Sequence, residues 1–207
     1  LRYGFNRQIA SDLPMDRGQT QIKGGDEWSI AESASGFTTH NKMSPLQGAL
    51  MAAAVVNDGI MMEPYAVTSV RDNEGNILYQ PIPRVASVVM DSATASELRG
   101  MMQETIQHGT STGSFRGITR NLKLKNLEIG GKTGSLTGTD PQGKCDWFIG
   151  YGELNGRRVA VSALTIHKKY WTVKSAYLAR RLMEYFYLNN GGSLFVLRRK
   201  GDVQNTL

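Results

Sequence analysis

A lysine, a threonine and a glycine stand together in residues 130–135, which read Gly-Gly-Lys-Thr-Gly-Ser. A lysine ammonium raises the local positive potential, and a threonine hydroxyl can donate a hydrogen bond to a carboxylate. A glycine beside them lets the backbone of another chain come close, because it has no side chain. Lys132, Thr133 and Gly134 are therefore candidates to bind the terminal carboxylate of a peptide.

The same residues allow two other interpretations. Gly-Lys-Thr also ends the phosphate-binding loop of nucleotide-binding proteins, but that template needs a glycine five positions before Gly131, where Asn126 stands. It also needs a helix to follow, whereas the sequence after Ser135 predicts a loop and then a strand. A glycine-rich turn with a solvated lysine is the simpler alternative.

Other reactive side chains show no comparable pattern. Asp146, beside two aromatic residues on a predicted strand, is interpreted as a structural partner or edge charge rather than a catalytic carboxylate. His40, His108 and His167 belong to no recognisable triad motif and are expected at the surface or at helix ends. Cys145 is the only cysteine and is expected to pack rather than react, so we predict no disulfide, no metal site and no cofactor.

Three β-strands are predicted around the Lys-Thr-Gly motif, at residues 127–133, 145–151 and 159–166. Short connections between successive strands favour an antiparallel sheet. Residues 135–144 are rich in Ser, Thr, Gly and Pro, and they predict a flexible connection rather than an element.

Helices are predicted before and after these strands. Ser44 and Gln47 match a capping box around Pro45, and an apolar helix is expected over residues 46–56. The remaining predictions are a hairpin of residues 65–70 and 77–79, a helix from residue 91 or 92 to 108, a loop at 109–117, and an amphipathic helix at about 172–188.

The overall composition is that of one globular domain. The chain has 207 residues, of which 40% are hydrophobic, and no apolar run approaches the length of a membrane span. Its net charge of +6 comes from scattered basic residues without interleaved aromatic residues, which argues against nucleic-acid binding. The basic residues near the end, in 191–207, are interpreted as a solvated tail, with contact to anionic lipid as a weaker alternative.

A second segment strengthens the interpretation of the Lys-Thr-Gly motif, since residues 146–151 read Asp-Trp-Phe-Ile-Gly-Tyr. Together the two segments resemble the third motif of the penicillin-binding proteins and serine β-lactamases. Other stretches follow that family's order: Tyr3-Gly4-Phe5-Asn6, Asp12-Leu13-Pro14, Ser44-Pro45-Leu46-Gln47, Asn57-Asp58-Gly59 with Pro64, and Gly109-Thr110. The likeness spans about residues 1–188. It departs at residues 34–37, where many members have Gly-Gln-Gly, and at Ser135, where threonine is commoner.

The resemblance implies an α+β fold of the penicillin-binding/serine β-lactamase type, with an antiparallel sheet flanked by helices. Residues 1–190 would be the C-terminal portion of a transpeptidase domain, and residues 191–207 a basic tail. It also implies roles in the site: Lys132 supports proton transfer and attracts the substrate carboxylate, Thr133 hydrogen-bonds that carboxylate, Gly134 keeps the strand open, and the backbone N–H of Ser135 is one of two oxyanion donors.

The nucleophile motif of this family does not occur in the chain. No serine is followed three positions later by lysine, and no Ser-x-Asn exists. The only Tyr-x-Asn, which ends at Asn189, comes after Lys132 and so in the wrong order. Because both motifs precede this region in the family, we expect the chain to begin within the fold, with its nucleophile upstream, and to be inactive alone.

The activity implied by the resemblance is that of a serine DD-transpeptidase, which cross-links peptidoglycan stem peptides through an acyl-enzyme and binds β-lactams covalently. The expected partners are the D-Ala-D-Ala stem peptide, β-lactams, the N-terminal part of the same domain and a cell-shape or division complex. The expected location is the periplasmic or extracytoplasmic face, with an inner-membrane anchor upstream. Two alternatives remain open: a catalytically inactive penicillin-binding-like scaffold or sensor, and a class D β-lactamase-like hydrolase.

Overall fold

The computed structural model describes residues 2–12, 14–21, 26–38, 40–139 and 141–189. The helices are α1 (Glu27–Ser35), α2 (Pro45–Val56), α3 (Ser92–Gln107), α4 (Thr112–Phe115) and α5 (Ser175–Leu188), with 3-10 turns at Ile118–Arg120 and Leu122–Leu124. The strands are β1 (Ile60–Met62), β2 (Val70–Arg71), β3 (Ile77–Tyr79), β4 (Val85–Val88), β5 (Glu128–Thr139), β6 (Gln142–Leu154) and β7 (Arg157–His167).

The three long strands form an antiparallel sheet in the order β5-β6-β7. Its register places Lys132 opposite Ile149 and Ser135 opposite Asp146, which in turn faces Thr165 on β7. Two smaller sheets, β1-β4 and β2-β3, are each a pair of antiparallel strands. The predicted α+β fold with an antiparallel sheet is therefore confirmed.

Helices cover both faces of the central sheet. Successive side chains of a strand point to opposite faces, and apolar side chains on each face pack against helices. On one face Phe148 packs in a cluster with Ala176 and Met183 of α5. On the other face Tyr151 packs with Val56 of α2 and Met102 of α3. Residues directly opposite each other on paired strands share a face, so Thr133 lies on the α5 side and Lys132 on the side of α2 and α3.

The helix starts show why these segments fold locally. The Ser44 hydroxyl accepts a hydrogen bond from the Gln47 N–H at 3.2 Å, which caps α2 as predicted. The Asp91 carboxylate caps α3 in the same way through the Thr94 N–H at 2.8 Å. The N-cap residue of α5 is Lys174, whose side chain makes no capping bond.

Two predictions about elements are wrong, and one helix was not predicted. Residues 135–144 do not form a flexible connection, because β5 continues to Thr139 and β6 begins at Gln142. Pairing with a neighbouring strand outweighs the local preference of Gly, Ser and Pro for turns. The loop predicted at 109–117 contains α4, and α1 has no counterpart among the predictions. No residue of α1 is buried, so the apolar period that reveals most helices is missing there.

The tail predicted at 191–207 lies outside the described residues. None of the helices in the described ranges combines the length and the hydropathy of a membrane span.

Candidate active site on the edge strand

The Lys-Thr-Gly motif lies in the middle of β5, which pairs only with β6 in the part of the chain that the structure describes. An edge strand presents backbone N–H and C=O groups that are free to pair with another extended chain. Lys132, Gly134 and Ser135 are exposed, and Thr133 is half-buried. The four predicted site residues therefore lie together on an accessible strand edge.

The glycines of the motif differ in what surrounds them. A methyl group at Gly131 would overlap the ring of Phe148, and one at Gly130 would lie 2.5 Å from Cε1 of Tyr151. At Gly134 the nearest atom would be Cβ of Trp147 at 3.5 Å, which is an ordinary contact. Packing thus requires glycine at 130 and 131 but leaves room for a side chain at 134.

The Thr133 hydroxyl is hydrogen-bonded to the hydroxyl of Thr110, with 2.7 Å between the oxygens. Thr110 follows the end of α3, 23 positions earlier in the chain. The Gly109-Thr110 pair was recognised in the sequence only as part of a resemblance, and Thr110 was not among the candidate site residues. No local signal could have placed it there, because the contact depends on how α3 packs against β5.

The ammonium of Lys132 is not neutralised by a carboxylate. Its Nζ donates to the backbone carbonyl of Thr133 at 2.9 Å, and it forms no ion pair within the described ranges. An exposed cation beside a free strand edge is suited to attract an anionic ligand.

On the α5 side of the sheet, Asp146 is buried and joins β6 to the start of α5. Its Oδ2 accepts a hydrogen bond from the Ser175 N–H at 2.8 Å, and the Ser175 hydroxyl donates to the Asp146 carbonyl oxygen. The carboxylate thus supplies the cap that Lys174 cannot provide. The interpretation of Asp146 as a structural partner is confirmed, and this partner lies directly opposite Ser135.

The prediction that His167 lies at the surface or at a helix end is wrong, because it is buried at the end of β7. Its Nδ1 accepts from the backbone N–H of Thr172 at 3.3 Å, and its Nε2 lies 3.0 Å from Oγ1 of Thr165. A nitrogen that accepts from an N–H carries no hydrogen, so in this arrangement the ring hydrogen lies on Nε2 and can be donated to Oγ1 of Thr165. The ring also stacks on Trp171, with 4.6 Å between centroids.

The other two histidines are exposed, as predicted; His108 pairs with Glu104 at 2.8 Å. Cys145 is half-buried. Across the described residues no group of three or more His, Cys, Asp or Glu side chains comes together as a metal site.

Tyr151 fixes α3 against the sheet on the Lys132 side. Its hydroxyl donates to the backbone carbonyl of Arg99 at 3.2 Å, and the side chain is almost completely buried. Burial raises the pKa of Tyr151 to about 12, because the phenolate would lose its hydration.

The chain matches the sequence model of the penicillin binding protein transpeptidase domain over residues 1–184. It is 32% identical over 117 residues to penicillin-binding protein 1B of Vibrio cholerae, which is 56% of this chain and 13% of that protein. It is 29% identical over 125 residues to peptidoglycan D,D-transpeptidase PbpA of Mycolicibacterium smegmatis, which is 59% of this chain and 24% of the relative. The aligned segments thus cover less than a quarter of either relative's length.

The fold is similar to that of penicillin-binding protein A from M. tuberculosis, solved as an imipenem acyl-enzyme complex. The TM-score is 0.71 at 19% identity, and the match covers 88% of this chain and 39% of that chain. At 19% identity this structural likeness is evidence for the fold alone. The match to the family model, in contrast, covers most of the sequence. The chain therefore belongs to the penicillin-binding protein transpeptidase domain family.

Proposed function

We propose that this chain is part of a serine DD-transpeptidase, which cross-links peptidoglycan stem peptides through an acyl-enzyme and binds β-lactams covalently. The observation that carries the proposal is the position of Lys132, Thr133 and Gly134 on the accessible edge of β5. A stem peptide can pair its backbone with this edge and place its terminal carboxylate at Lys132 and Thr133.

In this reaction a serine outside the chain attacks the carbonyl carbon between the two D-Ala residues. A C–O bond forms, the C–N bond breaks, and the terminal D-Ala leaves after its amine has taken a proton. The amine of a second stem then attacks the ester carbonyl, a new C–N bond forms and the C–O bond to the serine breaks. The proton that the attacking amine loses returns to the serine oxygen. Lys132 supports proton transfer together with a serine of the second motif, which is also outside the chain.

Charge develops on the carbonyl oxygen during both steps. We assign the backbone N–H of Ser135 as one oxyanion donor, and the nucleophile's own N–H as the other. Loss of one such donor typically costs about 2.7 to 4 kcal/mol of transition-state stabilisation. The open space at Gly134 supports this assignment. With glycine at this position, no side chain covers the strand surface next to the Ser135 N–H.

Two relatives support the acyl-enzyme route through what their names state. One is called a peptidoglycan D,D-transpeptidase, and the solved structure is an acyl-enzyme complex with imipenem. We infer that residues 1–190 form the C-terminal portion of the domain and that its N-terminal portion supplies the nucleophile. The whole protein would lie at the extracytoplasmic face, anchored by an upstream segment, and join a cell-shape or division complex.

The proposal is tested by labelling the full-length protein with fluorescent penicillin and reading the result on a denaturing gel. The wild type should give a covalent band, and Lys132→Ala should largely abolish it. Lys125→Ala is the matched control, because Lys125 is an exposed lysine whose side chain forms no hydrogen bond or ion pair with the described residues. A wild-type protein that is folded but gives no band would refute the enzymatic function.

That negative result would favour a catalytically inactive scaffold or sensor, which is the second candidate because the chain itself contains no Ser-x-x-Lys. A class D β-lactamase-like hydrolase would give a different result again. Its band would fade as the ester hydrolyses and the released penicillin product accumulates, whereas a transpeptidase ester should persist.

A further inference from the structure

The Thr110–Thr133 contact is a pair of hydroxyl groups in which either oxygen could be the donor. Each hydroxyl has one hydrogen to donate and two lone pairs that accept. In the described part of the chain the Thr110 hydroxyl has no other partner, so it can take either role. The direction of this hydrogen bond decides whether the hydrogen of Thr133 is free.

A bound carboxylate removes the choice, because it only accepts hydrogen bonds. Thr133 can donate to it only if its hydrogen does not point at Thr110. Thr110 must then be the donor, which gives a chain from the Thr110 hydroxyl through the Thr133 hydroxyl to the carboxylate. Hydrogen bonds in such chains polarise and strengthen one another.

The backbone around Thr110 is held firmly enough for this role. The Gly109 N–H donates to the Glu104 carbonyl at 2.8 Å, and the Ser111 N–H donates to the Thr105 carbonyl at 3.1 Å. Ser111 is completely buried, and a methyl group at Gly109 would lie 2.8 Å from Cα of Thr105. The turn is thus packed against the last turn of α3, and Thr110 is presented to β5 in a fixed position.

We propose that Thr110 is a positioning residue for substrate carboxylate recognition: it donates its hydroxyl hydrogen to Thr133 and so directs the hydrogen of Thr133 to the bound carboxylate. This inference rests on the proposed function, in which Thr133 binds the carboxylate of a stem peptide or β-lactam. Thr110 itself touches neither the ligand nor the reacting atoms.

The test compares two ligands that differ at the carboxylate, benzylpenicillin and its neutral methyl ester, on the full-length protein. Rapid-mixing kinetics separate the non-covalent dissociation constant from the acylation rate constant. Thr110→Val keeps the shape and removes the hydroxyl, whereas Thr110→Ser keeps the hydroxyl. Thr105→Val is the matched control, since Thr105 lies on the preceding turn of α3 and its side chain makes no hydrogen bond to any residue that the structure describes.

For Thr110→Val we expect benzylpenicillin to bind about 2- to 10-fold more weakly, the range for loss of one uncharged hydrogen bond. The acylation rate constant, the binding of the methyl ester and the melting temperature should change little. Thr110→Ser should behave like the wild type. In a Thr133→Val background, Thr110→Val should add no further loss, because the effect acts through the Thr133 hydroxyl.

Two outcomes overturn the inference while the proposed function stands. One is an equal loss for benzylpenicillin and its methyl ester, which would show a general distortion of the site. The other is a loss that remains in the Thr133→Val background, which would mean that Thr110 acts independently. A wild-type protein that is folded but forms no acyl-enzyme with either ligand refutes the proposed function, and the inference falls with it.

Discussion

Replacing Asp146 by alanine should destabilise the domain by removing the cap of α5. The helix begins at Ser175, and its N-cap residue, Lys174, offers no acceptor. The Ser175 N–H is instead bonded to the Asp146 carboxylate at 2.8 Å, and Ser175 is completely buried. No water can therefore replace the lost acceptor without rearrangement of the site.

Two contributions give the expected size. A buried N–H left without an acceptor costs about 1 to 3 kcal/mol. The loss of a carboxylate at a helix N-terminus adds about 0.3 to 1 kcal/mol. We therefore expect Asp146→Ala to lower the free energy of unfolding by roughly 1 to 4 kcal/mol, and Asp146→Asn, which keeps an oxygen acceptor, to lower it by less, roughly 1 kcal/mol or below.

The assay is thermal unfolding of the full-length protein, following the transition of the transpeptidase domain. A loss of roughly 1 to 4 kcal/mol corresponds to a drop of about 2 to 16 °C in the melting temperature of a domain of about 150 to 250 residues, and to a smaller drop in a larger domain. Glu97→Ala is the control, because Glu97 is an exposed carboxylate on α3 that forms no hydrogen bond or ion pair with the described residues. If Asp146→Ala shifts the melting temperature no more than Glu97→Ala, the capping argument is wrong.

Two further predictions concern the same sheet. Gly131→Ala should destabilise the domain by about 1 to 3 kcal/mol, because its methyl group overlaps the Phe148 ring, whereas Gly134→Ala should leave the melting temperature nearly unchanged and slow penicillin labelling. Equal melting temperatures for the two variants would contradict this. Tyr151 should make stability fall at alkaline pH, since its pKa is about 12 in the fold and 10.0 when exposed: its contribution is complete below pH 10 and is lost as the pH rises towards 12. Tyr151 should account for roughly 2 to 3 kcal/mol of the decrease seen by urea unfolding across this range, and Tyr187, whose pKa burial also raises, adds to the decrease in the same direction. Tyr151→Phe should remove the Tyr151 part, and an unchanged pH dependence in the variant would refute the assignment.

Much of the secondary structure follows from local sequence. The start of α2 was predicted from Ser44, Pro45 and Gln47, and the Ser44 cap forms as expected. The three strands of the central sheet were predicted in order, although their ends were placed too early or too late. These features depend on interactions between residues a few positions apart, such as caps, turns and alternating burial, which a sequence displays directly.

The ends of the strands depend on their neighbours instead. Residues 135–139 are extended because they pair with β6, and the register continues to Thr139 opposite Gln142. Their composition alone favours a turn, and the pairing partner is what outweighs that preference. His167 is buried for a related reason, because β7 extends to His167 and the ring there stacks on Trp171 in the segment that precedes α5.

The sequence by itself singled out Lys132, Thr133 and Gly134 as candidates to bind a carboxylate, because their chemistry and order are local properties. It could not show that the Thr133 hydroxyl meets Thr110 or that the Asp146 carboxylate caps α5. These contacts join residues 23 and 29 positions apart. Only the packing of α3 and α5 against the two faces of the sheet decides them, since contacts between distant segments are set by the tertiary fold and leave no periodic signal in the chain.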